Sequence, residues 1–354
     1  MGDIAVGTPI RRTLDADGLN RFVQAQENLP SQGNLGPRLD PLSDVLRAVR
    51  LNGAYFYRVD ATHPWSVLTI EAKQLVPRVH PASEHLISYH ILTSGSCWGG
   101  VAGDEQMLMQ PGDAIVFPHG DANLMSSSPI RTADAATLDA TPSRHPSLIR
   151  IGKGAGPTAT FVCGFLGCDL RPYNPLLSAL PHRIVARGVA GDWLTEFPRH
   201  VVAEANDARP GGDTMLTRMA ELMFVEVVRR YVASLAPRDT GWLAGLVDAV
   251  VGPALRALHE RPEHAWTLPE LALTIGASRT VLVERFSALV GVPPMQYLTQ
   301  WRLQLAADYL ARGSAKVATI GTRVGYESDA AFSRAFKRAT GQSPSAWRNA
   351  RMGL

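Results

Sequence analysis

Thr267-Leu-Pro-Glu-Leu-Ala-Leu-Thr-Ile-Gly276, continuing as Ala277-Ser278-Arg-Thr-Val-Leu-Val-Glu-Arg-Phe286, returns later in the chain with the same punctuation. The second copy runs Val317-Ala-Thr-Ile-Gly-Thr-Arg-Val-Gly325 and continues as Tyr326-Glu-Ser328-Asp-Ala-Ala-Phe-Ser-Arg-Ala-Phe336-Lys337. Each copy predicts a short apolar helix, a glycine free to take positive φ in a tight turn, and a serine suited to N-cap a second helix. Each second helix stops near a glycine, Gly291 or Gly341, followed by Pro293 or Pro344. Thr267 and Glu270 have the spacing of a capping box. Helical spacing turns Leu282, Phe286 and Leu289 inward, and likewise Phe332, Phe336 and Ala339.

Those inward faces leave Ser278, Arg279, Thr280, Val283, Glu284 and Arg285 as the candidate DNA contacts of the first unit. In the second they are Ser328, Asp329, Ala330, Ser333, Arg334 and Lys337. Side chains at the start of such a helix reach base edges in a major groove. Between the units, Pro293 to Arg312 predicts one helix with Leu298, Trp301, Leu305 and Tyr309 on a face and Gly313 beyond it. About twenty residues at 1.5 Å each span roughly 30 Å, near the 34 Å turn of B-DNA. Charge agrees: His264 to Leu354 carries eleven Lys and Arg against five Asp and Glu, within a chain of formal net charge only +3. A basic end on a mildly acidic body suits a phosphate backbone.

The tandem units, the joining helix and the closing Gly341-Gln-Ser-Pro344-Ser-Ala-Trp347-Arg348 resemble the DNA-binding domain of AraC-type transcription regulators over about residues 240 to 354. The resemblance implies a two-headed reader of double-stranded DNA, with RNA polymerase as a candidate partner. Glu284 stands where related proteins often carry arginine or another polar residue. The first unit then either reads a cytosine or mainly positions the protein.

With 354 residues, 45% of them hydrophobic, the chain suits two or three domains with proper cores. No apolar run approaches the length of a membrane span, and the first residues, Met1-Gly-Asp-Ile-Ala-Val-Gly-Thr-Pro-Ile-Arg-Arg, do not read as a signal peptide. Cys97, Cys163 and Cys168 are too few and odd in number for a secreted disulfide framework. A cytoplasmic protein is expected. Residues 1–39 predict a partly disordered extension with a short helix around Arg21, Phe22 and Val23. An amphipathic helix comes next at Asp40 to Arg50, with Leu42, Val45, Leu46 and Val49 inward.

From Gly53 to about Phe165 the pattern becomes short β-branched and aromatic runs broken by Gly and Pro, such as Ala54–Val59, Ser66–Ile70, Leu86–Leu92, Ala114–Phe117 and Ala159–Gly164. That predicts an antiparallel barrel or sandwich, interrupted by an insertion at Thr132 to His145. Gly112-Asp-Ala-Ile-Val-Phe-Pro118-His-Gly120 resembles the second motif of cupin barrels, and the resemblance runs over most of residues 40 to 185. Asn123 stands where that motif places a metal-binding histidine, and His80, Glu84, His85 and His90 do not fall in the register of the first motif. No metal and no cofactor are expected. His90, Trp98, Phe117 and Asn123 are the candidate contacts of an unknown small-molecule effector.

Thr214 to Leu235 predicts a strong helix whose apolar positions Leu216, Met219, Leu222, Met223, Val227, Tyr231 and Leu235 are more than one packing face needs. One stripe packs on the barrel; the other suits a homodimer seam. Pro237 to Gly241 reads as a linker. Cys163 and Cys168, five apart, are either inert packing or, if both exposed, a redox pair. The expected architecture is α+β: an N-terminal extension at 1–39, a cupin-like sensor barrel at 40–185, a helical dimerisation segment at 186–239, and an all-α double helix-turn-helix domain at 240–354. The expected function is a sequence-specific transcription regulator answering a small-molecule or stress signal. The alternatives are a constitutive DNA-binding dimer and a metal-dependent cupin enzyme fused to a DNA-binding domain.

Overall fold

Along Leu86–Leu92 successive side chains alternate between two separate cores, which is the period-two signature of a strand covered on both faces. Ile87, Tyr89 and Ile91 enter one core, and Leu86 and Leu92 enter the other. The structure is a computed structural model. It describes residues 40–354 apart from 50, 82, 130–135, 138–146, 155–157, 171, 207–209, 237–238 and 353–354. The extension at 1–39, where a short helix is expected around Arg21, and most of the insertion at Thr132 to His145 lie outside the described residues.

The chain opens with α1 (Pro41–Ala48), capped by Asp40, whose side chain accepts from the Leu42 amide. Then come β1 (Leu51–Ala61), β2 (Ser66–Thr69), α2 (Ala72–Val79), β3 (His85–Gly95), β4 (Cys97–Val101), β5 (Met107–Met109) and β6 (Ala114–Phe117). β7 (Asn123–Ser126), β8 (Ala136–Thr137), β9 (Ser147–Ile151), β10 (Ala159–Cys168), α3 (Pro175–Ala179) and β11 (Ile184–Ala186) complete the β half. The strands form a six-stranded sheet in the order β11-β6-β3-β10-β1-β9 and a five-stranded sheet in the order β5-β4-β7-β2-β8. The expected antiparallel pairing holds for most neighbours, but β9 runs parallel to β1 and β8 parallel to β2. Between the sheets lies one core, built from Trp65, Leu92, Met109, Phe117, Met125, Phe161 and Phe165.

The outer face of the larger sheet is covered by α4 (Trp193–Asn206) and α5 (Gly212–Ser234). On α5, Leu216, Ala220, Met223, Phe224, Val227 and Val228 are buried, while Met215 and Leu222 are 52% and 57% exposed. Met223 is therefore a core residue and not part of a seam.

The helical half contains α6 (Trp242–Val247), α7 (Val251–Glu260), α8 (Leu268–Thr274), α9 (Arg279–Val290), α10 (Pro294–Arg312), α11 (Val317–Arg323), α12 (Asp329–Thr340) and α13 (Pro344–Met352). Its two reading units do not share a core. Leu303, Ala306, Leu310, Ile320, Phe332, Phe336 and Trp347 form the second unit's own cluster. Trp242, Leu255, Leu271, Leu282, Phe286, Tyr297 and Trp301 belong instead to the core that continues through α4 and α5 to Phe56, Ile87 and Tyr89 of the sheet. Residues Leu39–Leu354 form one compact unit accordingly. The segment read as a linker leads straight into buried Trp242 and Leu243; its Pro237 and Arg238 lie outside the described residues.

Polar contacts tie the same junction. Gln304, only 3% exposed, donates from Nε2 to the Ala48 carbonyl at 2.9 Å and accepts from the Tyr173 amide at 3.1 Å. Arg312 donates to the Arg47 carbonyl at 2.7 Å, and Arg351 pairs with Glu84 at 2.7 Å. Buried His259 stacks on Trp301 at 4.3 Å between ring centroids, places Nε2 2.7 Å from the Tyr297 hydroxyl and sets Nδ1 3.5 Å from Asp44.

Candidate nucleic-acid interface and sensor interior

The two reading heads are built by the same local devices. Ser278 Oγ accepts from the Val281 amide at 3.2 Å, and Ser328 Oγ from the Ala331 amide at 3.3 Å. Gly276 and Gly325 turn the chain with φ of 69° and 86°, a region where L side chains are strained. At Gly325 the close approach is a second constraint, since a Cβ there would lie 2.6 Å from the Glu263 carbonyl oxygen and 2.8 Å from the Arg302 guanidinium. The turns differ by one residue: Gly276 precedes the Ser278 cap by two positions, and Gly325 precedes Ser328 by three. Thr267 accepts from the Glu270 amide at 3.3 Å, the serine/threonine half of the expected capping box.

On α9, Arg279, Thr280 and Glu284 are exposed and Val283 is half-buried. Val281, which the spacing argument passed over, is 46% exposed on the same helix. Arg285 departs from the expected set. Its guanidinium sits on Asp248 at 2.7 Å, and Asp248 also accepts from the Val250 and Val251 amides at 2.8 and 2.9 Å. Arg285 thereby ties α9 to the start of α7. On α12, Asp329, Ala330, Arg334 and Lys337 are exposed and Ser333 is half-buried. Ala339 corrects the expected inward face: it is exposed, and Ala335 and Thr340 take the buried positions beside Phe332 and Phe336.

In the β half, the candidate effector contacts divide by strand alternation. His90, Phe117 and Asn123 meet inside. His90 Nε2 lies 2.9 Å from Asn123 Oδ1, Asn123 Nδ2 donates to Ser88 Oγ at 3.0 Å, and the His90 and Phe117 rings are 6.1 Å apart. Trp98 does not join them. Its neighbour Cys97 fills the interior core, so the Trp98 side chain projects from the opposite face of β4.

The register brings further residues to His90 that the sequence did not assign to this site. Across the larger sheet, Tyr57, Cys163 and His90 are directly paired neighbours on β1, β10 and β3. Trp65 stacks on Phe161 at 5.6 Å, and Phe161 lies 6.1 Å from the His90 ring. Because Asn123 Nδ2 is the donor to Ser88, its Oδ1 accepts, which makes His90 Nε2 the protonated nitrogen and Nδ1 a bare acceptor. Nδ1 of His90, Nε1 of Trp65 and the Tyr57 hydroxyl are buried with no protein partner. Burial holds the His90 pKa down, to about 4, against the smaller upward pull of Asn123.

The residues do not fit a metal. His80 is held by Ser83 at 2.7 Å, His85 by the Pro118 carbonyl at 2.7 Å and His90 by Asn123, so the imidazoles do not converge. Among the described residues no cluster of three or more His, Cys, Asp or Glu is placed to hold one. The cysteines correct the redox expectation. Cys163 and Cys168 are both buried on β10, and an odd separation along a strand sends them to opposite faces, Cys163 into the interior core and Cys168 into the outer one. Five residues of strand put them about 17 Å apart, far beyond disulfide reach. Burial also raises the Cys163 thiol to about 12 and the Cys168 thiol further, so neither is a ready thiolate. Among the described residues no helix is long and apolar enough to cross a membrane.

Comparison with known proteins agrees with this architecture. The profile described as Cupin matches residues 40–233, and the one described as Helix-turn-helix domain matches residues 271–350. An AraC-like transcription regulator of Streptomyces antibioticus is 30% identical, over 88% of this chain and 98% of its own. Another, of Streptomyces lividans, is 31% identical, also over 88% of this chain and 98% of its own. The crystal structure of ToxT from Vibrio cholerae aligns over 87% of this chain and 100% of its own, at 11% identity and a TM-score of 0.34. The chain belongs to the AraC-like family of transcription regulators, with a cupin domain ahead of its helix-turn-helix domain.

Proposed function

We propose that the protein reads a double-stranded DNA site with α9 and α12 and couples that binding to a small molecule held in the cupin interior. The observation that carries the DNA reading is the duplicated head: two helices, each N-capped by serine after a positive-φ glycine, each with a polar outer face. Arg279, Thr280, Val281 and Glu284 are the base-facing set of α9; Asp329, Ala330, Ser333 and Arg334 are that of α12, and Lys337 on the same helix grips the phosphate backbone. Ser278 and Ser328 position the helices and present their amide ends to phosphates. Arg285 acts in the scaffold through Asp248.

The unpartnered interior atoms support the effector reading. A bare acceptor on His90 and donors on Trp65 and Tyr57 suit a small, largely apolar molecule with a hydroxyl or amide that can both donate and accept. The reading is binding rather than catalysis: burial keeps the Cys163 thiol beside His90 protonated, so it is no ready nucleophile. The protein acts as a homodimer through the exposed ridge of α5, with RNA polymerase as the partner that reads its occupancy of DNA.

The test uses the full chain and a duplex selected by it from a random pool. Arg334→Ala is expected to relax preference at one or two base pairs, costing roughly 1–3 kcal/mol of discrimination. Lys337→Ala should weaken all duplexes alike. No enrichment of any sequence by the wild-type chain would refute the reading, as would an Arg334→Ala variant that, like Lys337→Ala, loses only general affinity.

A further inference from the structure

Beside the outer face of α12 the chain closes an open pocket of about 560 Å³ against α10. Thr299, Arg302, Tyr326, Arg334 and Arg338 supply its polar lining, and Ala331 and Ala335 its floor. Among the described residues no carboxylate lines it. Arg334 and Arg338 stand one helical turn apart on α12, exposed, and make no ion pair among the described residues. Arg302 is fixed in position, donating to the Pro262 and His264 carbonyls, the latter at 2.7 Å. Glu263, within electrostatic range of Arg302, is exposed and outside the lining. The Tyr326 hydroxyl is buried without a protein partner and within electrostatic range of both Arg302 and Arg338.

Three guanidiniums gathered without a counter-charge repel one another, and a buried donor without an acceptor loses its hydration uncompensated. Both costs disappear when one tetrahedral oxyanion enters, because guanidinium forks match its paired oxygens and the phenol hydroxyl can donate to a third. We propose that this pocket clamps one backbone phosphate of the duplex, with Arg338 and Tyr326 gripping it, Arg302 as the fixed wall, and Arg334 shared between phosphate and base. The inference rests on the DNA reading above and adds the site that sets the register of the second head. The choice of a DNA phosphate over a free one rests on Arg334, which belongs both to the pocket wall and to the helix face that enters the groove. A duplex read by that face carries a phosphate past the wall every 3.4 Å along each strand.

The experiment measures affinity against salt for the full chain on the selected duplex. Arg338→Gln is expected to lower affinity about tenfold per bound subunit on selected and scrambled duplexes alike and to make the log–log salt slope shallower by about 0.9 per bound subunit, one released counterion each. Tyr326→Phe should lower affinity about threefold with the slope unchanged, since it removes a neutral donor. Single methylphosphonate substitutions along the duplex should reveal one position that weakens the wild type but not Arg338→Gln. An unchanged slope in Arg338→Gln, or no such position, overturns the clamp while leaving DNA binding intact. Inorganic phosphate titrated without DNA is expected to bind no tighter than millimolar; tight uptake that duplex does not displace would identify a free-anion site and overturn the proposal. A wild-type chain that binds no duplex refutes the DNA reading itself and the clamp with it.

Discussion

His90 shows what one residue's surroundings do to its chemistry. Its ring is enclosed by Phe117 and Phe161 and hydrogen-bonded to Asn123, and its pKa falls to about 4 from the ordinary 6.5. Between those two values the unfolded chain binds the proton and the folded one does not, so stability falls as pH drops below 6.5. The loss is complete below pH 4, at about 3 kcal/mol, and is about 2 kcal/mol at pH 5. Urea unfolding at pH 7 and pH 5 should therefore show a fall in the wild type that is about 2 kcal/mol smaller in His90→Leu. Equal falls would show that His90 titrates normally. His90 and Asn123 were legible because strand alternation and a motif position mark them. Tyr57 and Trp65 were not, and Cys163 was read only as a thiol paired with Cys168, since what makes them neighbours of His90 is cross-strand register, which no local pattern encodes.

At the scale of elements, the sequence predicts α10 as a spacer between two heads, and its length agrees with the expectation. Its burial differs. Tyr297, Leu298, Trp301, Leu303, Gln304, Ala306, Ala307 and Leu310 are buried around most of its circumference, so it is a shared strut between two cores and the sensor. Gln304 makes that strut specific by serving two backbone groups at once. Gln304→Leu leaves the buried Ala48 carbonyl and the part-buried Tyr173 amide without this partner, at about 1–3 kcal/mol for a fully buried group. Equilibrium unfolding of the variant should show a loss of about 2–4 kcal/mol, partly offset by the apolar side chain. A loss below about 0.5 kcal/mol would mean water reaches both groups and the strut does not depend on them.

For the whole molecule, the feature that decides assembly is the exposed apolar ridge of α5. Met215, Met219 and Leu222 have i, i+4, i+7 spacing, two of them exposed and Met219 half-buried, with the Arg218–Glu221 ion pair alongside. A two-fold interface places the same ridge on both subunits. The proposed homodimer then brings four heads to DNA and gains affinity through effective concentration. Sedimentation at micromolar concentration should give a dimer for the wild type and a folded monomer for Met215→Asp with Leu222→Asp. The monomer should keep weak binding to a single half-site and lose the tight complex on a paired one. A monomeric wild type ends the dimer proposal. Met223→Asp is no substitute, because Met223 is core and an aspartate there is expected to unfold the protein.

The sequence by itself determined the two heads, their caps and stops, the strands of the barrel and the family. These depend on local periodicity and punctuation: Ser278 and Ser328 cap because each finds an unpaired helix amide three residues further along, and Gly276 and Gly325 turn because they lack a Cβ. It also placed the domain boundary at 239/240 from composition, as though a linker separated two modules. Only the tertiary structure decided that the first head shares a core with the sensor while the second keeps its own. Only it separated Cys163 from Cys168, withdrew Trp98 from the interior, committed Arg285 to Asp248, and gathered Arg302, Arg334 and Arg338 around Tyr326. The reason is common to all of them. Local pattern fixes which face of an element is apolar, whereas which distant face covers it depends on packing among residues tens to hundreds of positions apart.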